Sequence, residues 1–374
     1  MRTVAITEQG TRLRAEGKFL VLESEGRAIK KLRTHDIEQL LLFGNVELSA
    51  GAIALLTRTE IDTVFLTLRG SFRARLWTRD SKNVVLRCDQ WRRAGDDLFT
   101  LDAAKRIVLG KATYQRQILL RAQRGLQDPA LADALTRMRV LIDQMQVAES
   151  VDAVRGYEGI LAALYFGHFG KLINQGEFQF QGRNRRPPRD PVNAMLSFAY
   201  ALLLGVVEAE VLRVGLDPYL GYFHAPARGR PSMVLDLMEE FRPTMDQLVL
   251  RIINRRQVGT ADFERKFAES YEAILQEEPE DADPYDVERG IPAVLDEEQA
   301  ADQEPWRPDR PAVYLGQTGR KVFLGEFFRR MREPVFYPPR GQRLELRDVI
   351  RQQCYHLARV IQGEEPEYQA FVPK

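Results

Sequence analysis

Apolar and polar residues follow two different patterns along this chain. Over about the first 80 residues they alternate in short runs, TVAITE, TRLRAE, KFLVLES and DTVFLTLRG, with glycines between the runs. Alternation with a period of two predicts half-buried strands, and glycines at these intervals are typical of hairpin turns. One helix is predicted within this part, over residues 49–59. The pattern therefore predicts a β-rich domain over residues 1–90.

From about Asp102 the apolar residues recur at helical spacing, as in AAKRIVLGKATYQRQILLRAQRG and PALADALTRMRVLIDQMQVAES. Asp190 followed by Pro191 marks the start of an apolar helix, because aspartate caps helices and proline suits their first turn. Thr318 is expected to cap a later helix. The fold class is therefore α+β, with a small β-rich N-terminal domain followed by a larger, mainly α-helical domain over residues 91–374, joined near residues 85–100.

Length and composition limit the class of protein. A chain of 374 residues suits two domains better than one. Cys88 and Cys354 belong to no CxxC pair, so the sequence supports neither a disulfide framework nor a thiolate zinc site. The longest apolar stretch, residues 192–207, is shorter than the roughly 20 residues that span a bilayer. No signal peptide is evident, and we expect a cytoplasmic protein without a membrane partner.

Charge is distributed unevenly along the chain. The net charge is +1, but residues 277–304 contain twelve acidic residues and one arginine, so the rest holds 53 basic and 41 acidic residues. The acidic segment has the composition of a solvated, flexible insertion. The basic remainder suits a polyphosphate partner, although an ordinary charged surface is the alternative.

A few carboxylates and one histidine stand out as candidates for chemistry. His224 lies in the loop GLDPYLGYFHAPARGRPS, and Asp236 and Glu239 are three residues apart on the helix that follows. Glu158 lies on an apolar helix stripe, where an ionised carboxylate needs a positive partner. Carboxylates with an imidazole suit Mg²⁺ or Mn²⁺ better than structural zinc. A satisfied loop histidine and solvated or ion-paired carboxylates remain the alternatives.

An arginine-rich stretch precedes the apolar helix. The segment GRNRRPPRDP contains Arg183, Arg185, Arg186 and Arg189, and guanidinium groups beside a helix N-terminus can hold phosphate. A basic surface loop is the alternative. Further basic residues occur near the domain junction and on the next helix, and aromatic residues among them could stack on bases, although core packing is the simpler role: Arg69, Arg73, Arg75, Arg79, Lys111, Arg116, Arg121, Arg124, Phe72, Trp77 and Trp91.

Four segments in the same order resemble one known family. They are YEGILAALYFGHF, GRNRRPPRDPVNAMLSFAYALLLG, GLDPYLGYFHAPARGRPSMVLDLMEEFRP and LRDVIRQQCYHLARVIQGEEPEYQAF. Together they resemble the CRISPR-associated spacer-acquisition integrases, the CRISPR-associated protein one family. The resemblance implies that Glu158, His224 and Glu239 are metal ligands and that Asp236 shapes the site or is an alternate ligand. The acidic segment at 277–304 has no counterpart among the family's motifs.

The resemblance also implies the reaction and the partners. It implies an endonuclease and integrase that uses Mg²⁺ or Mn²⁺, with a 3′-hydroxyl of incoming DNA attacking a target phosphodiester. It further implies double-stranded DNA as prespacer and CRISPR repeat, a homodimer formed through the β domain, and a small ferredoxin-like CRISPR-associated partner. Arg183, Arg185 and Arg186 are the candidates for contacting DNA. A transposon-type integrase, which a missing C-terminal DNA-binding module disfavours, a branched-DNA repair nuclease and a non-catalytic DNA-binding scaffold remain alternatives.

Overall fold

A computed structural model describes residues 2–67, 72–76, 83–184, 187–267 and 311–373. Contacts divide these residues into two compact units, the first containing residues 2–76 and Phe267 and the second containing the others from residue 83 onward. The break falls ahead of the helix that begins at Val84, slightly earlier than the junction expected at 85–100. The acidic segment 277–304 lies outside the described residues, as do Arg69, Trp77, Arg79, Arg185 and Arg186.

The first unit is built on two four-stranded sheets. In the first sheet the order is β1-β5-β7-β8, with β1, β5 and β7 parallel and β8 antiparallel to β7. In the second the order is β4-β3-β2-β6, antiparallel except for the parallel pair β2 and β6. The elements are β1 Arg2–Ile6, β2 Thr11–Glu16, β3 Phe19–Ser24, β4 Arg27–Arg33, β5 Ile37–Phe43, β6 Val46–Leu48, α1 Ala50–Arg58, β7 Asp62–Leu66 and β8 Phe72–Leu76.

One apolar cluster holds this unit together. Leu13 and Leu20 from one sheet, Leu40 from the other and Leu56 from α1 are fully buried in it. The helix α1 begins after Ser49, whose hydroxyl accepts a hydrogen bond from the N–H of Ala52 at 3.1 Å. The predicted strands and the predicted helix at residues 49–59 are confirmed.

The second unit is mainly helical, which confirms the predicted α+β class. Its long helix α3 packs against α4, α5, α7 and α8. Its elements are α2 Val84–Ala94, α3 Asp97–Leu126, α4 Pro129–Gln146, α5 Val151–Phe169, α6 Pro191–Val214, α7 Ser232–Glu239, α8 Arg242–Asn254, β9 Phe263–Lys266, β10 Ala312–Leu315, α9 Gln317–Met331, β11 Pro334–Tyr337, β12 Gln342–Glu345 and α10 Leu346–Ile361.

The apolar helix α6 begins as the sequence predicts. The Asp190 carboxylate accepts a hydrogen bond from the N–H of Asn193 at 2.9 Å, and Pro191 occupies the first turn. The helix ends at Gly215, whose φ of 100° favours glycine. Among the described residues, α6 alone is long and apolar enough to cross a membrane, and 78% of its most apolar window is buried inside the structure.

One expectation for the second unit is wrong. Thr318 does not cap α9, because that helix begins at Gln317 after Gly316, whose N–H donates to the carbonyl of Asp262 at 2.8 Å. A Cβ on Gly316 would lie only 3.0 Å from that carbonyl, so close backbone packing sets the helix start. The region beyond Asp102 is mainly helical, as predicted, and it also contains short antiparallel strand pairs, β9 with β10 and β11 with β12.

Candidate active site

A loop and the helix that follows it, both in the second unit, are joined by one buried carboxylate. Asp236 on α7 is fully buried and accepts hydrogen bonds from the N–H groups of Tyr222 at 2.5 Å, Phe223 at 2.9 Å and His224 at 2.9 Å. A Cβ on Gly221 would lie 2.7 Å from an Asp236 oxygen, so only glycine lets the loop approach this closely. Asp236 therefore fixes the backbone that carries His224.

The same carboxylate orients the His224 ring. His224 Nδ1 lies 2.6 Å from Asp236 Oδ1, and the ring packs edge-on against Phe223 with centroids 5.1 Å apart. An ionised carboxylate only accepts, so Nδ1 carries the proton and the lone pair is on Nε2. A histidine held by a carboxylate in this way is the usual arrangement of a metal-binding imidazole.

Glu158 and Glu239 meet around one ammonium group. Lys111 Nζ on α3 lies 2.5 Å from Glu158 Oε1 on α5 and 2.5 Å from Glu239 Oε2 on α7. Because both oxygens lie 2.5 Å from the same nitrogen, they are at most about 5 Å apart. All three side chains are buried, with 8%, 3% and 0% of their surface exposed. The positive partner that the sequence required for Glu158 is thus Lys111.

A second cation completes the charge balance on Glu239. Arg242 Nε lies 2.5 Å from Glu239 Oε1, and the guanidinium lies over the ring of Tyr200 at 5.1 Å from its centroid. Arg242 and Glu239 are three residues apart, which places them on adjacent turns at the junction of α7 and α8. Burial of Glu239 and Asp236 also shows that this pair is not a solvated helix face.

Behind these groups lies a further buried carboxyl. Asp246 on α8 accepts a hydrogen bond from the Tyr200 hydroxyl at 2.5 Å. Burial raises the pKa of Asp246 to about 6, and the Tyr200 and Tyr165 hydroxyls and the charges of Arg183 and Lys111 oppose this rise. Desolvation by burial, followed by the nearby charge of Asp246, raises the pKa of Tyr200 well above its usual value.

Arg183 is held inside this part of the unit. Its Nη1 donates to Asn193 Oδ1 at 2.7 Å, its Nη2 donates to Ser197 Oγ at 3.1 Å, and its guanidinium lies 5.5 Å from the centre of the Tyr200 ring. The structure therefore places Arg183 against α6, whereas Arg185 and Arg186 lie outside the described residues.

This chain is similar to known proteins over most of its length. A family model described as "CRISPR associated protein Cas1" matches residues 4–279, well over half of the chain. The chain belongs to the Cas1 family. A relative from Rhodospirillum rubrum named "CRISPR-associated endonuclease Cas1 2" is 41% identical over 278 residues, which cover 71% of this chain and 79% of the relative. The predicted family is confirmed, and it is a family of CRISPR-associated endonucleases.

Solved structures share the fold of this Cas1 chain. A casposase bound to its integration product has a TM-score of 0.76 at 20% identity, covering 99% of this chain and 93% of that one. A chain of a Cas6-RT-Cas1–Cas2 complex has a TM-score of 0.74 at 18% identity, covering 99% of this chain and 36% of that one. At these identities the likeness establishes the fold alone.

The chemistry of this donor set fits a hard divalent cation. Glu158 and Glu239 already share one cation, the Lys111 ammonium, and in the same unit the Asp236 carboxylate orients the ring of His224. Within the described ranges, no three His, Cys, Asp or Glu side chains stand in the arrangement of a metal site. Of the three predicted ligands, Glu158 and Glu239 meet at Lys111, and a metal that these two held would compete with that ammonium.

The roles of Lys111 and Arg242 were not predicted from the sequence. The sequence places Lys111 among the basic residues that give the chain its positive character, yet Ile107, Val108 and Ile118 around it on α3 are buried. A charged residue on an apolar helix face is the signal that singled out Glu158, and the same signal could have singled out Lys111. Arg242 carried a weaker signal, its spacing of three residues from Glu239.

Proposed function

We propose that this Cas1 chain is a divalent-metal-dependent endodeoxyribonuclease and integrase that inserts spacers into a CRISPR array. The observation that carries the proposal is the pair of buried carboxylates, Glu158 and Glu239, which share one cation. In the same unit, Asp236 orients the ring of His224. The reaction is attack by a DNA 3′-hydroxyl on a target phosphodiester, and water in place of the hydroxyl gives hydrolysis. Such a reaction needs no nucleophilic side chain.

In this proposal Glu158, His224 and Glu239 hold Mg²⁺ or Mn²⁺, with His224 binding through Nε2. The bound ion would polarise the phosphate and offset the charge of the transition state. Asp236 keeps the proton on Nδ1 of His224 and fixes the loop, so it acts on orientation and not on the substrate. Arg242, which contacts Glu239, orients that carboxylate and adds positive charge beside the phosphate.

The proposed partners are double-stranded DNA, a second copy of the chain and a small ferredoxin-like protein. Support for DNA and a protein partner comes from the two solved structures with the same fold, one a casposase with an integration product and the other a Cas1–Cas2 complex. We propose that Arg183, Arg185 and Arg186 contribute to the DNA surface. Arg183 does so by holding the start of α6, given its hydrogen bonds to Asn193 and Ser197.

Alanine substitutions at the three ligands test this proposal. We expect Glu158→Ala, His224→Ala and Glu239→Ala each to reduce metal-dependent strand joining to background while DNA affinity stays within about twofold, because DNA binding rests on many phosphate contacts. Asp236→Ala should lower the rate of strand joining about 10- to 100-fold, as does the loss of other carboxylates that orient a metal-binding histidine. Strand joining is measured with labelled duplexes and Mn²⁺ or Mg²⁺, and DNA affinity by titration.

A matched control is Glu149→Ala, which removes an exposed carboxylate from the same unit. Full activity in any ligand variant would exclude that residue as a ligand. A wild-type protein that binds DNA but joins no strands with either metal would favour the non-catalytic scaffold. A preference for transposon ends or branched DNA over a CRISPR repeat would favour the related integrase or the repair nuclease.

A further inference from the structure

The chain beyond α10 folds back over the helices that carry the candidate site. We call residues 363–373 the C-terminal strap. Its first contacts are with α10, where the His356 ring donates to the Glu365 carboxylate through Nδ1 and accepts the Gln369 N–H through Nε2 at 2.9 Å. Tyr368 stacks on the same ring with centroids 5.1 Å apart. The strap is therefore held along its length.

The strap binds the residue that follows Glu239. The Glu240 carboxylate is buried and accepts hydrogen bonds from the Tyr368 hydroxyl at 2.7 Å and from the N–H of Phe371. Gln353 on α10 donates to the same carboxylate at 3.0 Å. A buried carboxylate with three donors fixes its own backbone, because breaking any one bond would leave a desolvated oxygen. The end of α7 is thus tied to the strap.

The strap also contacts the residue that precedes Lys111. On α3, a methyl group at Gly110 would overlap the Cβ of Ala370 and would lie 3.7 Å from the Cβ of Glu240. One turn earlier, Arg106 pairs with Glu367 at 2.6 Å. At Gly110, therefore, α3, α7 and the strap meet at a distance that only glycine allows.

We propose that the C-terminal strap positions the active site, with Gly110 and Glu240 setting how far α3 stands from α7. Lys111 directly follows Gly110 on α3, and Glu239, the last residue of α7, directly precedes Glu240. The contact at Gly110 therefore controls the distance between the Lys111 ammonium and the Glu239 carboxylate. A shift of about 1 Å in such a site can cost 100-fold in rate. The proposal rests on the proposed function, because it assumes that this site performs the chemistry.

A compensating pair of substitutions tests the strap in the full-length protein. Gly110→Ala forces the strap away from α3, and adding Ala370→Gly removes the colliding methyl group. We expect Gly110→Ala to lower the single-turnover rate of strand joining at saturating DNA by at least about tenfold, with DNA affinity unchanged. The double variant should recover most of the rate. Gly125→Ala is the control on the same helix, since a methyl group there meets nothing within 4 Å.

Amide hydrogen exchange supplies a readout that does not depend on activity. The N–H groups of residues 222–224, which bind Asp236 on α7, should exchange faster in Gly110→Ala and return to wild-type protection in the double variant. A wild-type rate and wild-type exchange in Gly110→Ala, or a defect that the double variant does not recover, would overturn the proposal. If the wild-type protein joined no strands, the proposed function would fail, and the exchange data alone would decide whether the strap positions α7.

Discussion

Lys111 is the counter-ion of the candidate site, because its ammonium contacts two buried carboxylates. Without it, Glu158 would lose its ammonium partner and Glu239 would keep the contact with Arg242. Removing one partner of a buried ion pair costs about 3–5 kcal/mol. We expect Lys111→Met to lower the free energy of unfolding by that amount in EDTA. Mn²⁺ should then stabilise the variant more than the wild type, since metal no longer competes with an ammonium. Urea unfolding with EDTA and with Mn²⁺ measures both effects.

Lys105→Met is the control for Lys111, because it removes a lysine from the same helix without touching either glutamate. Stability equal to the wild type in EDTA would contradict the role of Lys111 as counter-ion. The result would also bear on the metal site, since a variant that Mn²⁺ does not stabilise would speak against Glu158 and Glu239 as ligands.

Asp246 should make stability depend on pH. Its folded-state pKa of about 6 lies above the unfolded value of about 3.9, so the folded state binds more protons between these limits. Stability is therefore expected to fall as pH rises from about 4 to 6, by up to about 3 kcal/mol. Asp246→Asn keeps an acceptor for the Tyr200 hydroxyl and should lose this dependence. Urea unfolding of both proteins at pH 4 and 7.5 measures the difference.

The pH prediction depends on the difference between the two proteins, because other carboxyls titrate in the same range. Asp133→Asn, at an exposed position on α4, should leave the wild-type pH profile unchanged. Parallel profiles for Asp246→Asn and the wild type would show that the carboxyl is ionised in both states and that burial does not raise its pKa.

Single residues show where sequence reasoning ends. The apolar surroundings of Glu158 predict a positive partner, and the structure supplies one. The identity of that partner could not be predicted, because Lys111 lies 47 positions away and many cations were available. His224 and Asp236 were predicted as separate candidates, whereas the structure shows them as one unit that includes three backbone N–H groups. Neighbouring residues in the sequence do not predict such contacts.

At the scale of elements, local signals determine some boundaries and tertiary contacts determine others. The helix α6 starts where its aspartate cap and first-turn proline predict. The helix α9 does not start at Thr318, because the approach of Gly316 to Asp262 selects the boundary instead. The pairing of β9 with β10 joins residues 46 or more positions apart, and strands this short show no clear periodicity in the sequence. Local helix signals therefore set a helix boundary only where tertiary packing agrees with them.

At the scale of the whole molecule, the uneven charge predicts how the chain binds DNA. Outside residues 277–304 the chain holds 53 basic and 41 acidic residues, so the remainder is strongly positive although the net charge is +1. Each phosphate that a lysine or arginine neutralises releases counter-ions, and six or more contacts cost about 10³ in affinity between 50 and 200 mM salt. We expect the affinity of this chain for duplex DNA to fall by about 10³ between 50 and 200 mM salt, as measured by titration.

Deleting residues 277–304 separates the contribution of the acidic segment from that of the rest. The deletion removes twelve carboxylates and one guanidinium, which leaves a more positive chain and should raise duplex affinity at low salt. Substituting the same acidic residues by glutamine and asparagine controls for the length of the chain. Because the attraction is electrostatic, the gain should shrink as salt is added. An affinity that did not change with salt would contradict a DNA-binding surface built on phosphate contacts, whatever the deletion did.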